Sequence, residues 1–483
     1  MSRVNKQSLR EEFDTINAEF KRLCRSGKMP DESRALFQAL LVLFEVLMAV
    51  FMEKQTTKNS GNSSKPPSQT GKDESAIRQP GSHGKGKAQN ESGSHNTRTK
   101  ETVRIARVCA CDTCGNDLSD TPCDRYERRT KVDIVFEKVV MHVDAELKTC
   151  PDCHAQTKGR FPQDMPGALQ YGAGIKAYLL DLMIAQMISL SRVQKLMKTL
   201  IGVVISEATM LKYMRQLNTA LARWEENAIA QLLQAPALHA DETSLRVDGA
   251  NHWIHVYSSG DMTLKRLHRK RGCEAIEDIG IIPRYGGAVI HDCWASYLSY
   301  AHCSHGLCGS HLLRELTFVV ESNRYVWASN MKRLLQEACA KVSKRKRKKL
   351  TIKEYQNLQK RYRNILTRGQ KALPTLPTRT HGKRGRVAKS DAHNLLERLR
   401  LHEKAVLLFA RESHVAFTNN RAERDLRMSK VKQKVSGCFR AQQYAQAYCR
   451  ISSYLQTMTN KGYNPLVAIQ LALSGQLYAE LGE

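Results

Sequence analysis

The spacing of apolar residues predicts that the chain begins with two helices. In the first, apolar residues recur at steps of four and three, which is the heptad spacing of a helical seam. The segment "SGKMPDES" breaks this pattern, and a turn beginning at Asp31 starts the second helix. Residues 1–53 are therefore predicted to form a helical hairpin, with local packing and a coiled coil as the two alternatives. The seam residues are Leu9, Phe13, Ile16, Phe20 and Leu23.

The second helix, "ALFQALLVLFEVLMAVFMEK", is apolar enough to raise the question of a membrane span. It contains Gln38 and Glu45, whereas a spanning helix needs about 20 apolar residues with few charges. A buried or self-associating helix is therefore favoured. The following residues, 54–103, are rich in Ser, Gly, Asn and Lys and have no apolar periodicity. They are predicted to form a flexible basic linker, because such sequence cannot bury a core.

Two Cys-x-x-Cys pairs dominate residues 104–160. The pairs "CDTC" and "CPDC" enclose the strand-like sequence "KVDIVFEKVVMHVDAEL". Each pair places two thiolates on one tight turn, and two pairs provide the four-sulfur shell that Zn²⁺ favours. The separation between the pairs is longer than in the usual zinc ribbon, so Cys109 and Cys123 are alternative ligands and a redox pair is an alternative role. The predicted structural zinc ligands are Cys111, Cys114, Cys150 and Cys153.

Residues 161–236 have helical periodicity. Within them, "LSRVQKLMKTLIGVVISEATMLKYMRQL" predicts a helix, a short turn and a second helix, with Ser206 as the N-cap of the second. This is the outline of a helix-turn-helix, whose second helix enters a DNA major groove. Any two packed helices share that outline, so the DNA-binding role of this region is a hypothesis.

Beyond this region the period changes to that of strands. The segments "ALHAD", "HWIHVYSS" and "TLKRLHR" predict three antiparallel strands, followed by a short helix "CEAIEDIG", a buried strand "GGAVIHD", another strand "HGLCG" and a helix "SHLLRELTFVVE". This order places Asp241 at the end of the first strand and Asp292 at the end of the fourth. A core over residues 237–440 is predicted, with a basic helical insertion at about 320–390. Two closing helices occupy residues 441–483.

Asp241 and Asp292 converge if the first and fourth strands are neighbours, and Glu423 in "NNRAERDLR" is a third acid on a late helix. Three carboxylates on rigid elements form an oxygen-lined site for Mg²⁺ or Mn²⁺. Two such ions about 3.5–4 Å apart support phosphodiester displacement. Singly, each acid could instead cap a helix or join an ion pair. Of the adjacent acids, Asp241 rather than Glu242 is predicted to be the ligand, because alternate strand residues point to opposite faces.

The segment "HCSHGLCGSH" contains a further set of metal-binding residue types. Their spacing could ligate zinc, but a strand over this segment would alternate the side chains, so core or cleft histidines are favoured. His311 and Glu315, one helical turn apart, are expected to line the cleft. The full set is His302, Cys303, His305, Cys308 and His311.

The charge balance indicates a polyanionic partner. Lys and Arg number 76 against 47 Asp and Glu, a formal net charge of +29, and neutralisation of phosphates supplies most non-specific affinity for nucleic acids. The segments "KVSKRKRKKL", "THGKRGRVAK" and "RMSKVKQK" are predicted phosphate contacts, with solvated faces as the alternative. The polar start of the chain and the scattered cysteines predict a cytoplasmic protein with no membrane partner.

Several blocks of the sequence resemble the transposases of the "sixty-six" family of bacterial insertion sequences. They are "LHADETSLRVDGANHWIHVYSS", "VIHDCWASY", "HGLCGSHLLREL", "TNNRAERDLRMSKVKQKVSGCFR" and "TMTNKGYNPL", together with the "NSGNSSKPPS" linker and the paired cysteines. They occur in the expected order from about residue 55 to the end. Differences from the usual pattern at Leu245, Gly309 and Ser310 do not involve the acids.

The resemblance implies a mixed α/β fold with a ribonuclease-H-like, retroviral-integrase-like catalytic core of the DDE type. Its triad would be Asp241, Asp292 and Glu423, and the cysteines of residues 111–153 would form a small zinc-ribbon-like module. The implied activity is cleavage of element-end DNA and joining of the 3′-OH to target DNA, with two Mg²⁺ or Mn²⁺ ions. The implied partners are double-stranded DNA, further copies of the chain in a synaptic complex, and accessory proteins of the same element, at the bacterial nucleoid. A nuclease of the same fold without strand transfer, and an inactive zinc-containing DNA-binding protein, are the alternatives.

Overall fold

The chain forms two compact units in the computed structural model. The first comprises residues 1–88 and 223–449, and the second residues 89–222 and 450–483. Most of the predicted linker and five residues of the cysteine module lie outside the described residues. The structure describes residues 6–26, 29–56, 58–59, 61–63, 103–131, 137–376 and 389–476.

The two predicted N-terminal helices are present as α1 (Lys6–Arg25) and α2 (Asp31–Gln55). They contact each other through the rings of Phe20 and Phe37, whose centroids lie 6.4 Å apart. By length and composition α2 could cross a membrane, and 17% of its most apolar window is buried. Much of its apolar surface is therefore exposed.

The cysteine module contains two tight turns of the same design. The Gly115 N–H donates to the Cys111 carbonyl at 2.9 Å, and the His154 N–H donates to the Cys150 carbonyl at 2.9 Å. A short antiparallel hairpin, β1 (Leu147–Thr149) with β2 (Gln156–Lys158), encloses the second turn. The strand-like alternation predicted before β1 gives irregular backbone over residues 137–146. Residues there such as Val139 are exposed, so the alternation has no apolar layer to bury.

A helix, turn and helix follow as the sequence predicted. After α3 (Ala173–Leu180) and a π-helical turn come α4 (Leu190–Ile201) and α5 (Glu207–Ala220). The N-cap prediction is confirmed, because the Ser206 hydroxyl accepts the Thr209 N–H at 3.1 Å. The predicted DNA-binding role of this pair stays a prediction.

A mixed sheet of five strands, in the order β5-β4-β3-β6-β7, forms the centre of the first unit, after α6 (Ala222–Gln234). The first three strands are antiparallel, as predicted, whereas β6 runs parallel to β3, and β7 parallel to β6. The turn between β3 and β4 has positive φ at Asp248 and Gly249, as a two-residue type I′ hairpin requires. The strands are β3 (Ala237–Val247), β4 (Ala250–Ser259), β5 (Met262–His268), β6 (Ala288–His291) and β7 (Ser304–Leu307).

Helices pack against this sheet and share its apolar core. An apolar core that includes Ile290, Leu316, Trp327, Tyr362 and Leu407 joins β6 and β7 to the helices that follow β7. In chain order the helices of this part are α7 (Cys273–Ile279), α8 (Ala295–Leu298), α9 (Gly309–Asn323), α10 (Val326–Lys344), α11 (Ile352–Ala372), α12 (Asp391–Leu401), α13 (Glu403–Arg411) and α14 (Asn420–Ser436). The closing helices are α15 (Gln442–Asn460) and α16 (Pro465–Ser474), and α16 packs on α3 and α5 in the second unit.

The end of α2 and the first residues of the predicted linker pack on the first unit. The Glu53 carboxylate accepts the N–H groups of Asp391 and Ala392 at 2.6 and 2.9 Å, so it caps the N-terminus of α12. The Asn62 amide donates to Glu321 on α9 at 2.6 Å, and Lys58 pairs with Asp391 at 2.5 Å. These contacts hold the end of α2 and the residues after it against α9 and α12.

Candidate active site

Parallel pairing of β3 with β6 brings the first two predicted acids to the same level. His239 pairs with Ile290, and continuing that register for two residues places Asp241 level with Asp292. Neighbouring strands lie about 4.8 Å apart, so these carboxylates belong to one site if both point to the same face. Asp241 lies within β3, which continues to Val247, and not at a strand end as the sequence predicted.

The physical reason for this correction is the hairpin. β4 pairs with β3 as far as the turn, so β3 keeps a partner beyond Asp241 after β6 has ended at His291. Asp292 is the first residue after β6, as the sequence predicted. The site therefore lies where β6 ends, and β3 continues beyond that point.

The third predicted acid, Glu423, lies in the first turn of α14, which packs on β3 and β4. Asn419, immediately before this helix, fixes its start. Its side-chain amide donates to the Ala240 carbonyl at 2.8 Å, and its Oδ1 lies 3.0 Å from His239 Nδ1. Asn419 thereby links the helix that carries Glu423 to the strand residue next to Asp241.

The sequence alone does not predict a functional role for Asn419. It is 2% exposed, and its backbone N–H donates to Cys308 Sγ at 3.2 Å. Asn before a helix usually caps that helix with its side chain, and this much could be read from "TNNRAER". In the structure the side chain makes no cap hydrogen bond and bonds to β3 instead, a partner that local sequence cannot reveal.

The electrostatics of Asp241 show that the acids share one environment. Burial raises the pKa of Asp241 well above its ordinary value, and the charges of Glu242, Asp292 and Glu423 raise this pKa further. Burial also raises the pKa of Asp292, while Arg271 and the Trp294 N–H act in the opposite direction. Like charges within one buried site repel each other, so the site favours a proton or a cation.

Glu242, adjacent in sequence, has a different environment. Its carboxylate is fully buried and accepts hydrogen bonds from Arg271 Nε at 2.8 Å and from the Tyr297 hydroxyl at 2.8 Å. The Arg271 guanidinium lies 5.0 Å from the Trp253 ring centre and 4.3 Å from that of Trp294, which is cation–π distance. Glu242 is therefore occupied by protein partners.

Glu423 has an oxygen without a protein partner. Its Oε1 is buried and accepts no hydrogen bond in the described structure. It lies 3.8 Å from His311 Nδ1, and burial, aided by Arg314 and Arg398, lowers the pKa of His311 to about 4. Because His311 is neutral at pH 7, it does not supply a positive charge to Glu423.

These observations test whether the residues fit divalent cations. The charges of Glu242, Asp292 and Glu423 raise the pKa of Asp241, and the buried Oε1 of Glu423 accepts no hydrogen bond in the described structure. Added positive charge would stabilise the ionised carboxylates of this site. Mg²⁺ and Mn²⁺ bind oxygen donors of this kind, and they would supply that charge. The residues of the site therefore fit such ions.

The cysteine turns also fit their predicted group, each considered alone. The N–H groups of Cys114 and Thr113 lower the pKa of the Cys111 thiol, and those of Cys153 and Asp152 lower the pKa of the Cys150 thiol. Thiolate is the form that binds zinc. The shared four-cysteine site stays a prediction.

The fold and the site define a class of protein, in which a mixed α/β sheet carries two partly buried acids at one level and a helix supplies a third acid. A family model described as "Transposase IS66 family" matches residues 168–447, which is more than half of the chain. The chain belongs to this transposase family, as the resemblance of its sequence blocks implied. A comparison with curated proteins gave no match.

Proposed function

We propose that this protein is a DDE transposase that cleaves element-end DNA and joins the resulting 3′-OH to target DNA. The observation that supports this proposal most directly is the environment of the acids: Asp241 lies among like charges, and Glu423 Oε1 has no donor in the described structure. Asp241, Asp292 and Glu423 would hold two Mg²⁺ or Mn²⁺ ions, on a ribonuclease-H-like core. Family membership supports a role in transposition.

In the first step, a water oxygen attacks the phosphorus at the element end, the P–O3′ bond breaks, and a 3′-OH is released. In the second, that 3′-OH attacks a target phosphorus and displaces a target 3′-oxygen. Bound divalent ions supply the Lewis acidity that both displacements need. The protein's residues contribute position: β3 and β6 hold the two aspartates level, and Asn419 holds the start of α14 against β3.

DNA binding is supported by the charge on the helix that carries Glu423. Beyond its first turn, α14 exposes basic residues at steps of three and four, which places them along one face. Such a face contacts backbone phosphates and positions the scissile strand without reading its sequence. The helix-turn-helix pair is proposed to read the terminal sequence. The basic residues of this face are Arg424, Arg427, Lys430 and Lys434.

Three further features belong to the proposal. Cys111, Cys114, Cys150 and Cys153 would hold a structural Zn²⁺ in the module over residues 104–160. Several copies of the chain would act together on paired DNA ends in the bacterial cytoplasm, with accessory proteins of the same element. The net charge of +29 supports the DNA partner.

The test is a strand-transfer assay with full-length protein, Mg²⁺ and DNA fragments from both flanks of the gene. Asp292→Asn should abolish cleavage and joining. The matched control is Asp278→Asn, because Asp278 is an exposed acid on α7 that pairs with His268, and it should leave joined products unchanged. Cleavage without joining would support the nuclease alternative, and binding alone the inactive protein. Full joining by Asp292→Asn would overturn the assigned site.

A further inference from the structure

A second set of metal-binding residue types meets beside the acids. The ligand atoms of Cys308, His311 and Glu423 all lie within 4.8 Å of one another. The sequence predicted a strand over "HGLCG", but β7 ends at Leu307 and Cys308 is the N-cap of α9. Cys308 and His311 are therefore one helical turn apart on the same side, and α14 brings Glu423 to them.

Two of these three residues have unsatisfied atoms that face each other. His311 Nδ1 and Glu423 Oε1 are both buried without a hydrogen-bond partner in the described structure, and they lie 3.8 Å apart. Buried polar atoms normally have partners, and an exception calls for an explanation such as an unseen ion. A cation between the two atoms would satisfy both.

The third residue supplies a buried sulfur atom. Cys308 is 1% exposed, and its sulfur accepts the Asn419 N–H at 3.2 Å. Burial raises the pKa of the Cys308 thiol, while this N–H acts in the opposite direction and orients the sulfur, as outer-sphere contacts of metal ligands do. The other candidates in "HCSHGLCGSH" are engaged elsewhere: Cys303 contacts the Tyr285 carbonyl at 2.9 Å, and His305 lies between His291 and the Tyr300 carbonyl.

We propose that Cys308, His311 and Glu423 form a Zn²⁺ site with one sulfur, one nitrogen and one oxygen donor, and that Zn²⁺ bound there inhibits the enzyme by withdrawing Glu423 from Asp241 and Asp292. Sulfur and imidazole donors select Zn²⁺ over Mg²⁺, and three protein ligands leave a fourth position open to water. Binding deprotonates the Cys308 thiol and releases that proton to solvent. The inhibition rests on the proposed function, whereas the binding of Zn²⁺ does not.

The binding test uses Co²⁺ as a spectroscopic probe for Zn²⁺ in the full-length, metal-depleted protein. The wild-type chain should bind one equivalent more than Cys308→Ser and His311→Ala, and the difference spectrum should contain a thiolate-to-Co²⁺ band that Zn²⁺ displaces. Each substitution should weaken this site by more than about 100-fold, since loss of even an outer-sphere partner costs about 10- to 100-fold. The cysteine module gives the same background in all variants.

Cys303→Ser is the matched control, because Cys303 is also buried and lies five residues before Cys308. It should keep the extra equivalent, and circular dichroism should show that all variants are folded. The proposal is overturned if Cys308→Ser and His311→Ala bind Co²⁺ as the wild type does, or if the control loses the band equally.

The inhibition test measures strand cleavage at fixed Mg²⁺ with increasing Zn²⁺. Wild-type activity should fall and recover on addition of a zinc chelator, and the ratio of activities with and without Zn²⁺ should approach one in Cys308→Ser. Asp292→Asn separates the two proposals, because it should lack activity and still show the Co²⁺ band. Equal inhibition of wild type and Cys308→Ser would contradict the inhibitory role.

Discussion

Glu423 and Asp425 lie two residues apart on α14, and their surroundings are opposite. The Asp425 carboxylate is 2% exposed and accepts hydrogen bonds from Ser258 at 2.7 Å, Thr263 at 2.9 Å and Arg421 at 3.0 Å. Glu423 faces the acid site with one oxygen unpaired. A buried acid with several donors stabilises the fold, whereas a partly exposed acid with one buried oxygen that lacks a donor is suited to bind a cation.

The same contrast occurs on β3. Burial and the charge of Asp292 raise the pKa of Glu242, but Arg271 and Tyr297 donate hydrogen bonds to its carboxylate. Asp241 accepts one N–H, that of Glu242, and otherwise lies near like charges. In both pairs the satisfied acid secures an element, and its neighbour projects into the site. The following variants test this division of roles, in order of expected effect.

Neutralising each of the two acids on α14 should separate an effect on activity from an effect on stability. Glu423→Gln should lower strand transfer by more than about 100-fold, because it removes a proposed direct metal ligand. Loss of a residue that only hydrogen-bonds to a metal ligand already lowers metal affinity or activity by about 10- to 100-fold. Asp425→Asn should instead lower the free energy of unfolding by about 3–5 kcal/mol, since it breaks a buried charge network. Strand-transfer assays and urea denaturation measure the two effects, and equal loss of activity in both variants would break the comparison.

Removing the Asn419 side chain should lower activity because Glu423 is then positioned less accurately. Asn419→Ala deletes the hydrogen bonds to Ala240 and His239, so Glu423 is held less firmly, and we expect activity to fall by about 10- to 100-fold. The Mg²⁺ concentration for half-maximal activity should rise, and excess Mn²⁺ should partly restore the rate. A loss of stability with an unchanged Mg²⁺ requirement would assign Asn419 a structural role alone.

Glu242→Gln should act mainly on stability. It removes the charge of a buried carboxylate that pairs with the half-exposed Arg271, and the loss of a hydrogen bond to a charged group costs about 1.5–3 kcal/mol. Thermal denaturation should show the decrease, while Mn²⁺ binding stays within a few-fold of wild type. Loss of Mn²⁺ binding as complete as that of an Asp241 variant would show that Glu242 is itself a ligand.

The metal-free protein should lose stability as pH rises. The pKa of Asp241 is raised in the folded state, so between its unfolded pKa and its folded pKa the folded protein binds more protons, and stability falls with increasing pH. Asp241→Asn should reduce this slope, to which the raised pKa values of Asp292 and Glu242 also contribute, and should stabilise the metal-free protein at neutral pH by about 0.5–2 kcal/mol. Denaturation in chelator from acid to neutral pH measures it, and an unchanged slope in Asp241→Asn would refute the account.

Much of this fold follows from local sequence. Alternation predicts the strands β3 and β4, and the helix between β5 and β6 allows β6 to return parallel to β3. The extent of β3 could not be predicted, because it depends on its hairpin partner and not on the strand at its other edge. The helix start at Cys308 was not predicted, because the segment that contains it has the alternation typical of a strand.

The site was partly predictable for the same reason. Asp241, Asp292 and Glu423 were singled out by strand order and by resemblance, and the structure places the two aspartates level. The partners of Asn419 and Cys308 lie more than 100 residues away, and no local pattern contains them. The distinction between Glu423 and Asp425 also depends on donors from β4 and β5.

Mn²⁺ binding, counted by electron paramagnetic resonance, tests the central claim most directly. Full-length wild type and Asp425→Asn, each measured below its unfolding temperature, should bind Mn²⁺ with the same affinity, and Glu423→Gln and Asp241→Asn should bind it far more weakly. The account is contradicted if Glu423→Gln and Asp241→Asn bind Mn²⁺ as tightly as the wild type does.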